Sequence, residues 1–158
     1  MSINFLLRST GQEYVLNLPT TMVPFTNGQN GEMIVSSALR SPRYSRYVAY
    51  PTINAELRLE SEFKQDFQLV LDALNATGMP VTTAVIKQAL LRVCNNHVKQ
   101  YGRIWIADAM MYVDCAIFIL QVVNNLPKAE CCKIYEDMAD HVVSAMGEKL
   151  KYPNPFCF

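Results

Sequence analysis

The sequence predicts an α+β protein with a small N-terminal β-hairpin or sheet and an irregular arm, followed by a four-helix C-terminal bundle. Apolar residues alternate near the N-terminus, which is typical of strands, and after residue 60 they recur at helical spacing. Between these regions, Pro, Gly and Asn break both patterns. We expect one domain over 1–158, divided into hairpin and arm (1–60), helical bundle (61–150) and apolar tail (151–158).

Two alternating runs flank a turn signal at residues 9–11. Their apolar members are Ile3, Phe5, Leu7, Tyr14, Leu16 and Leu18. This pattern predicts a hairpin with one buried face. Short runs at 32–36 and 55–59 are compatible with further strands, whereas most of 19–53 reads as irregular chain.

Cap and stop signals bound the predicted helices. Ser61 is the expected N-cap of the first helix, which Gly78 ends, and the second helix runs from Thr82 to Gly102. The last helix begins near Pro127, a residue suited to a first turn.

The third helix, predicted over 104–123, is almost entirely apolar and is expected at the centre of the core. Asp114, Gln121 and Asn125 fall on one narrow stripe. Asp108 lies on the apolar side. Each Asp at a bilayer centre would cost roughly 2.5–3.5 kcal/mol, so a membrane span is not expected.

Asp108 needs a partner if it is buried. Arg103, Arg92 or Lys99 could form a structural ion pair with it. The alternative is an acid with a shifted pKa in a cleft, although no second group stands at a spacing that would complete such a site.

Composition limits the class of protein. A chain of 158 residues, 51% hydrophobic and 18% charged, is typical of an ordered globular domain, and its net charge of zero means that nucleic-acid binding would require local clustering of basic residues. Five cysteines, an odd number, favour a reducing compartment over a disulfide framework. The N-terminus lacks the pattern of a signal peptide, and we expect a cytoplasmic location.

Cysteines and histidines on two predicted helices could in principle hold zinc: Cys94, His97, Cys131, Cys132 and His141. The sequence has no CxxC pair and no paired-knuckle spacing, and buried Cys is a common core residue. We therefore expect no metal and no cofactor.

A Cys131 or Cys132 nucleophile would need a base, but His141 lies about three turns away on the same helix, roughly 15 Å by helical rise. We expect His141 to be a core-edge residue held by Asp137. No known catalytic motif stands out, which predicts no catalytic residues.

The best functional lead is the Arg/Tyr segment, residues 37–51, which interleaves two residue types. Its candidate binding residues are Arg40, Arg43, Tyr44, Arg46, Tyr47 and Tyr50. Guanidinium groups pair with phosphates, and tyrosines can stack on unpaired bases of single-stranded RNA. Arg and Tyr are equally typical of protein interfaces, and three Arg in one loop can also be merely solvated.

The sequence thus favours a non-enzymatic, self-associating structural protein of the coat or nucleoprotein kind. The Arg/Tyr segment would contact RNA or neighbouring subunits, and Phe156 and Phe158 of the tail would support self-association. The first alternative is a protein-binding adaptor or regulatory module without nucleic acid. The second is a small enzyme whose site leaves no recognisable motif.

Overall fold

A hairpin and four helices make up the described fold. The computed structural model describes residues 2–17 and 60–152. In chain order its elements are β1 (Ser2–Leu7), β2 (Gln12–Asn17), α1 (Glu60–Thr77), α2 (Thr83–Tyr101), β3 (Ile104–Trp105), α3 (Ile106–Asn124), α4 (Lys128–Met146), a 3-10 turn (Gly147–Lys149) and β4 (Leu150–Lys151). The predicted α+β fold with a helical C-terminal bundle is confirmed.

The predicted hairpin is confirmed with its buried face. β1 and β2 pair antiparallel with Phe5 opposite Tyr14, and the two rings stack with centroids 5.5 Å apart. Phe5, Leu7 and Leu16 are buried, as alternation requires of one face of a pleated ribbon. Phe5 also meets Phe67 of α1 edge to face at 5.4 Å, so the hairpin packs on the bundle through this face.

Asn75 of α1 fastens the hairpin turn to the bundle. Its Oδ1 accepts the backbone N–H of Arg8 at 3.0 Å, and its Nδ2 donates to the Leu6 carbonyl at 3.1 Å. One side chain thus satisfies a backbone donor and a backbone acceptor where the hairpin leaves its ladder.

Most of the residues predicted to begin or end the helices are confirmed in that role. The Thr82 hydroxyl accepts the Val85 N–H as an N-cap, and Gly102 ends α2 in the left-handed conformation. Asn125, with a φ of 51°, ends α3. The prediction for Ser61 was wrong, because α1 already includes Glu60 and Ser61 therefore lies inside the helix rather than at its N-cap.

The central position of α3 is confirmed. It packs against the other three helices and against β2, and every residue from 109 to 120 is buried. The polar stripe of α3 is exposed only at its C-terminal end. Asp114 is 1% exposed, whereas Gln121 is half-buried and Asn125 is exposed. No helix within the described ranges has the length and apolarity that a membrane crossing requires.

A short parallel pairing was not predicted. The predicted third helix began at Ile104, but Ile104 and Trp105 instead form β3 and pair in parallel with Leu150 and Lys151 of β4. Ile104 and Leu150 are both buried, and this burial stabilises the strand pairing in place of a further turn of helix at the start of α3. The chain after α4 thereby closes back onto the start of α3.

One face of α4 packs into the core. Cys131, Met138 and Val142 are buried there, whereas Ala145 near the end of the helix is exposed. His141 is half-buried at the edge of the core, and Asp137, the partner expected for it, forms a salt bridge with Lys87 of α2.

A cleft of aromatic and charged side chains as the candidate binding site

A cleft opens between α1, α2 and the start of α3. Its volume is about 710 Å³, within the range of small-molecule and peptide side-chain pockets. We call it the α1/α2 cleft. Its lining residues are Gln65, Asp66, Leu69, Asp72, Ala73, Ala76, Arg92, Val93, Asn96, His97, Gln100, Tyr101, Arg103, Trp105, Asp108 and Tyr112.

Helical spacing places the two long walls. The lining residues of α1 recur every three or four positions from Gln65 to Ala76, and those of α2 recur every four from Arg92 to Tyr101. Side chains at such intervals share one helix face. Each helix therefore turns a second face to the cleft besides the one that it buries in the core.

Gly102 and β3 place the third wall. Gly102 adopts a φ of 82°, which a glycine reaches without strain, and the chain turns out of α2 there. In β3 Ile104 points into the core and Trp105 points outward, since successive strand residues alternate. Pairing of β3 with β4 fixes the backbone that carries the indole.

The floor is a rigid aromatic group. The His97 Nδ1 and the Tyr112 hydroxyl are 2.9 Å apart and hydrogen-bonded; in the tautomer protonated at Nε2 the hydroxyl is the donor. The His97 ring also lies 4.7 Å from the ring of Tyr101, centroid to centroid. Tyr112 is buried on α3, so the floor is anchored in the hydrophobic core.

The rim is apolar and exposed. Among the described residues, three of the exposed large apolar side chains line this one cleft: Leu69 at 49%, Tyr101 at 62% and Trp105 at 39%. Exposed apolar groups scattered singly need no explanation, but their convergence on a concave surface indicates a binding site. The Arg103 guanidinium stacks 5.5 Å from the Trp105 ring centroid, in cation–π range.

Both signs of charge face the cleft. Asp66, Asp72 and Asp108 supply three carboxylates against the two guanidinium groups of Arg92 and Arg103. Asp72 accepts a hydrogen bond from Gln68 Nε2 at 2.7 Å. The charge of the lining is therefore mixed, with a small excess of carboxylate.

The structure places Asp108 half-buried in the first turn of α3. Two of its expected basic partners, Arg92 and Arg103, line the same cleft, whereas Lys99 does not. An Asp in this first turn also interacts favourably with the positive end of the helix dipole.

The reactive groups of the lining are few in kind. Among the described residues that line the cleft there is no Ser, Thr, Cys or Lys, and the groups that could act as nucleophiles are carboxylate and tyrosine oxygens and the His97 imidazole. His97 and Tyr112 are within hydrogen-bond distance of each other and could move a proton. The remaining polar groups, Asn96 and Gln100 among them, are neutral donors and acceptors.

Two of the cysteines considered above, Cys94 and Cys131, belong to the core. Cys94 and Cys131 are fully buried, and burial raises the pKa of the Cys94 thiol to about 12. A thiol in that environment stays protonated, so it is neither a ready metal ligand nor a nucleophile. In the part of the chain that the structure describes, no group of three or more His, Cys, Asp or Glu side chains could hold a metal ion.

The predicted interaction residues lie outside the described residues. They are Arg40, Arg43, Tyr44, Arg46, Tyr47 and Tyr50 of the Arg/Tyr segment, together with Phe156 and Phe158 of the tail. The possible strands at 32–36 and 55–59 lie outside them as well.

Sequence reasoning missed the cleft except at Asp108, but a signal for it was present. The run from Tyr101 to Trp105 places two aromatic residues and Arg103 around a helix-ending glycine. Trp105 falls within the helix predicted over 104–123, but large aromatic residues this close to a turn also indicate exposed recognition groups.

Comparison with known proteins gives no match to a family model, to a curated protein or to a solved structure, and the function of this chain is therefore argued from the cleft and from the sequence.

Proposed function

We propose that the protein is a non-enzymatic, self-associating structural protein of the coat or nucleoprotein kind. In this proposal the Arg/Tyr segment contacts RNA or neighbouring subunits, and the tail residues Phe156 and Phe158 add to the contact between subunits. The protein then acts by holding partners together, without chemical change to them.

The α1/α2 cleft is the observation that carries this proposal. It combines an exposed apolar rim, charges of both signs and neutral hydrogen-bonding groups on a scaffold of packed helices. Aromatic and arginine residues of this kind are enriched at protein interfaces and dominate their energetics. A chain that carries both such a cleft and a segment rich in Arg and Tyr has the two halves of a self-association contact.

Size-exclusion chromatography with light scattering and the ratio of absorbance at the nucleic-acid and protein maxima tests the proposal. Wild type should elute far above the monomer mass of 17.9 kDa. The variant with Arg40, Arg43 and Arg46 all changed to Ala should lose bound nucleic acid, subunit contacts or both, because its positive charges and planar hydrogen-bond donors are gone.

A matched variant with Arg8, Lys133 and Lys149 changed to Ala removes the same charge from exposed positions outside the cleft. It should keep the size and absorbance ratio of wild type. A wild-type protein that elutes as a monomer without nucleic acid would refute the proposal.

A protein-binding adaptor is the second candidate, and the mixed charge of the cleft favours it. Three carboxylates beside two guanidinium groups suit a protein segment better than a phosphate backbone, which prefers uninterrupted positive charge. An adaptor predicts a monomer or dimer with a protein-like absorbance ratio, and that result would move it to first place.

A further inference from the structure

We propose that the α1/α2 cleft binds the Arg/Tyr segment, residues 37–51, of a neighbouring copy of this chain. The inference rests on the proposed self-association and names the two surfaces that meet. The cleft is built from described residues, and its occupant is identified by the chemistry of its sequence.

The rim of the cleft and the Arg/Tyr segment are complementary in their apolar groups. Leu69, Tyr101 and Trp105 form the exposed rim, and Tyr44 and Tyr47 are among the aromatic residues of the segment. Aromatic pairs in offset or edge-to-face contact stabilise an interface beyond the effect of the area that they bury. A segment with tyrosines at close intervals can make several such contacts along one rim.

The cleft and the Arg/Tyr segment are also complementary in charge. Residues 37–51 contain three arginines and no acidic residue. The lining of the cleft carries three carboxylates and two guanidinium groups, an excess of one negative charge, and carboxylates accept paired hydrogen bonds from a guanidinium group. Arginine also stacks on aromatic faces, as Arg103 already does on Trp105.

Single-stranded RNA suits the lining of the cleft less well than a cationic peptide does. Single-stranded RNA would find aromatic faces at Tyr101 and Trp105 and two arginines, but it would bring its phosphates against three carboxylates. Like charges brought together at an interface weaken binding and serve to reject wrong partners. The lining therefore favours a cationic peptide over an anionic strand.

The position of the segment in the chain makes the contact between copies practicable. The 42 residues from 18 to 59 connect the end of β2 to Glu60, and Glu60 opens the helix that forms one wall of the cleft. A stretch of this length can reach a neighbouring molecule, since an extended chain spans up to about 3.3–3.6 Å per residue.

Trp105 makes the test specific, because it is the one tryptophan of the chain and it lines the cleft. The receptor is the full chain with Arg40, Arg43 and Arg46 changed to Ala, which weakens competition from its own segment. The probe is a synthetic peptide of residues 37–51, titrated while the tryptophan emission is recorded. A second peptide, with its three arginines replaced by alanine, is the control.

We expect a saturable change in Trp105 emission with the arginine peptide, and binding at least about tenfold weaker with the alanine peptide. Tyr101→Ala and Asp72→Asn in the receptor should each weaken binding. Met79→Ala and Glu13→Gln, which remove an exposed apolar group and an exposed carboxylate outside the cleft, should leave it unchanged. Circular dichroism of each variant checks that the fold is intact.

Three results would overturn the inference: no change in emission, an equal response to both peptides, or a stronger response to a single-stranded RNA oligonucleotide than to the arginine peptide. Chromatography separates this failure from that of the proposed function. An oligomeric wild type whose cleft ignores the peptide leaves self-association standing through another surface. A monomeric wild type whose variant binds the peptide refutes self-association and keeps the cleft as a peptide site.

Discussion

Replacing Cys94 by Ala should make the stability of the protein less sensitive to alkaline pH. Cys94 is fully buried on α2, and desolvation raises its pKa from the ordinary 9.0 to about 12. The unfolded chain returns the thiol to water, where its pKa is ordinary. The folded state therefore holds the proton more tightly than the unfolded state does.

The direction follows from linkage. Because the folded-state pKa lies above the unfolded one, the stability that comes from the neutral thiol is complete below about pH 9 and is lost as the pH rises toward 12. Between about pH 8 and about pH 10, this group alone should lower the free energy of unfolding by roughly 1–2 kcal/mol. Cys94→Ala deletes that contribution.

Urea unfolding of wild type and of Cys94→Ala at both pH values isolates the effect. The substitution leaves a small cavity, which lowers stability by a similar amount at both pH values. Ionisation of tyrosines and lysines affects both proteins alike, so the difference between their two pH responses belongs to Cys94. Identical losses of stability in the two proteins would refute the reasoning, and would mean that the thiol reaches water in the native state.

Two further substitutions test how the site and the hairpin are held. Tyr112→Phe removes the hydrogen bond to His97 without changing ring size, so the free energy of unfolding measured in urea should fall by about 1–2 kcal/mol. Unchanged stability would show that this hydrogen bond does not stabilise the fold. Asn75→Ala removes both hydrogen bonds between α1 and the hairpin turn. Amides of β1 and β2 should then exchange about 5–30 times faster, and unchanged exchange would contradict the role given to Asn75.

The elements that the sequence predicted are those with a local, periodic signal. The hairpin follows from the alternation of Phe5, Leu7 and Leu16, which one buried face requires. Thr82 and Gly102 bound α2 because each satisfies backbone groups that the helix end leaves open. Such signals are contained within a few residues and need no knowledge of the tertiary structure.

The pairing of β3 with β4 carries no such signal. Two residues are too few to show a period, and Ile104 meets Leu150 only after two intervening helices have been placed. The apolar sequence that begins at Ile104 is equally compatible with a strand and with the first turn of an apolar helix. Tertiary pairing decided its conformation, as it often does for short apolar runs.

The sequence places Asp114 on a polar stripe of the third helix but does not show whether other elements cover that stripe. A polar stripe on an apolar helix predicts a solvent-facing side only when nothing covers it. Three helices and β2 surround α3, and they cover its N-terminal two thirds, so Asp114 is enclosed while Asn125 is not.

Apart from Asp108 and the signal between Tyr101 and Trp105, the cleft could not be predicted, because its chemistry belongs to no single element. Its lining spans residues 65 to 112, and its groups converge only through the packing of α1 against α2 and the turn at Gly102. This construction also explains how the site can be both exposed and well positioned. Tyr112 ties the floor to a helix that is buried over twelve consecutive residues, whereas Tyr101 and Trp105 hold the rim in solvent. A partner that covers the rim therefore meets aromatic groups already ordered by the core, which lowers the entropic cost of binding.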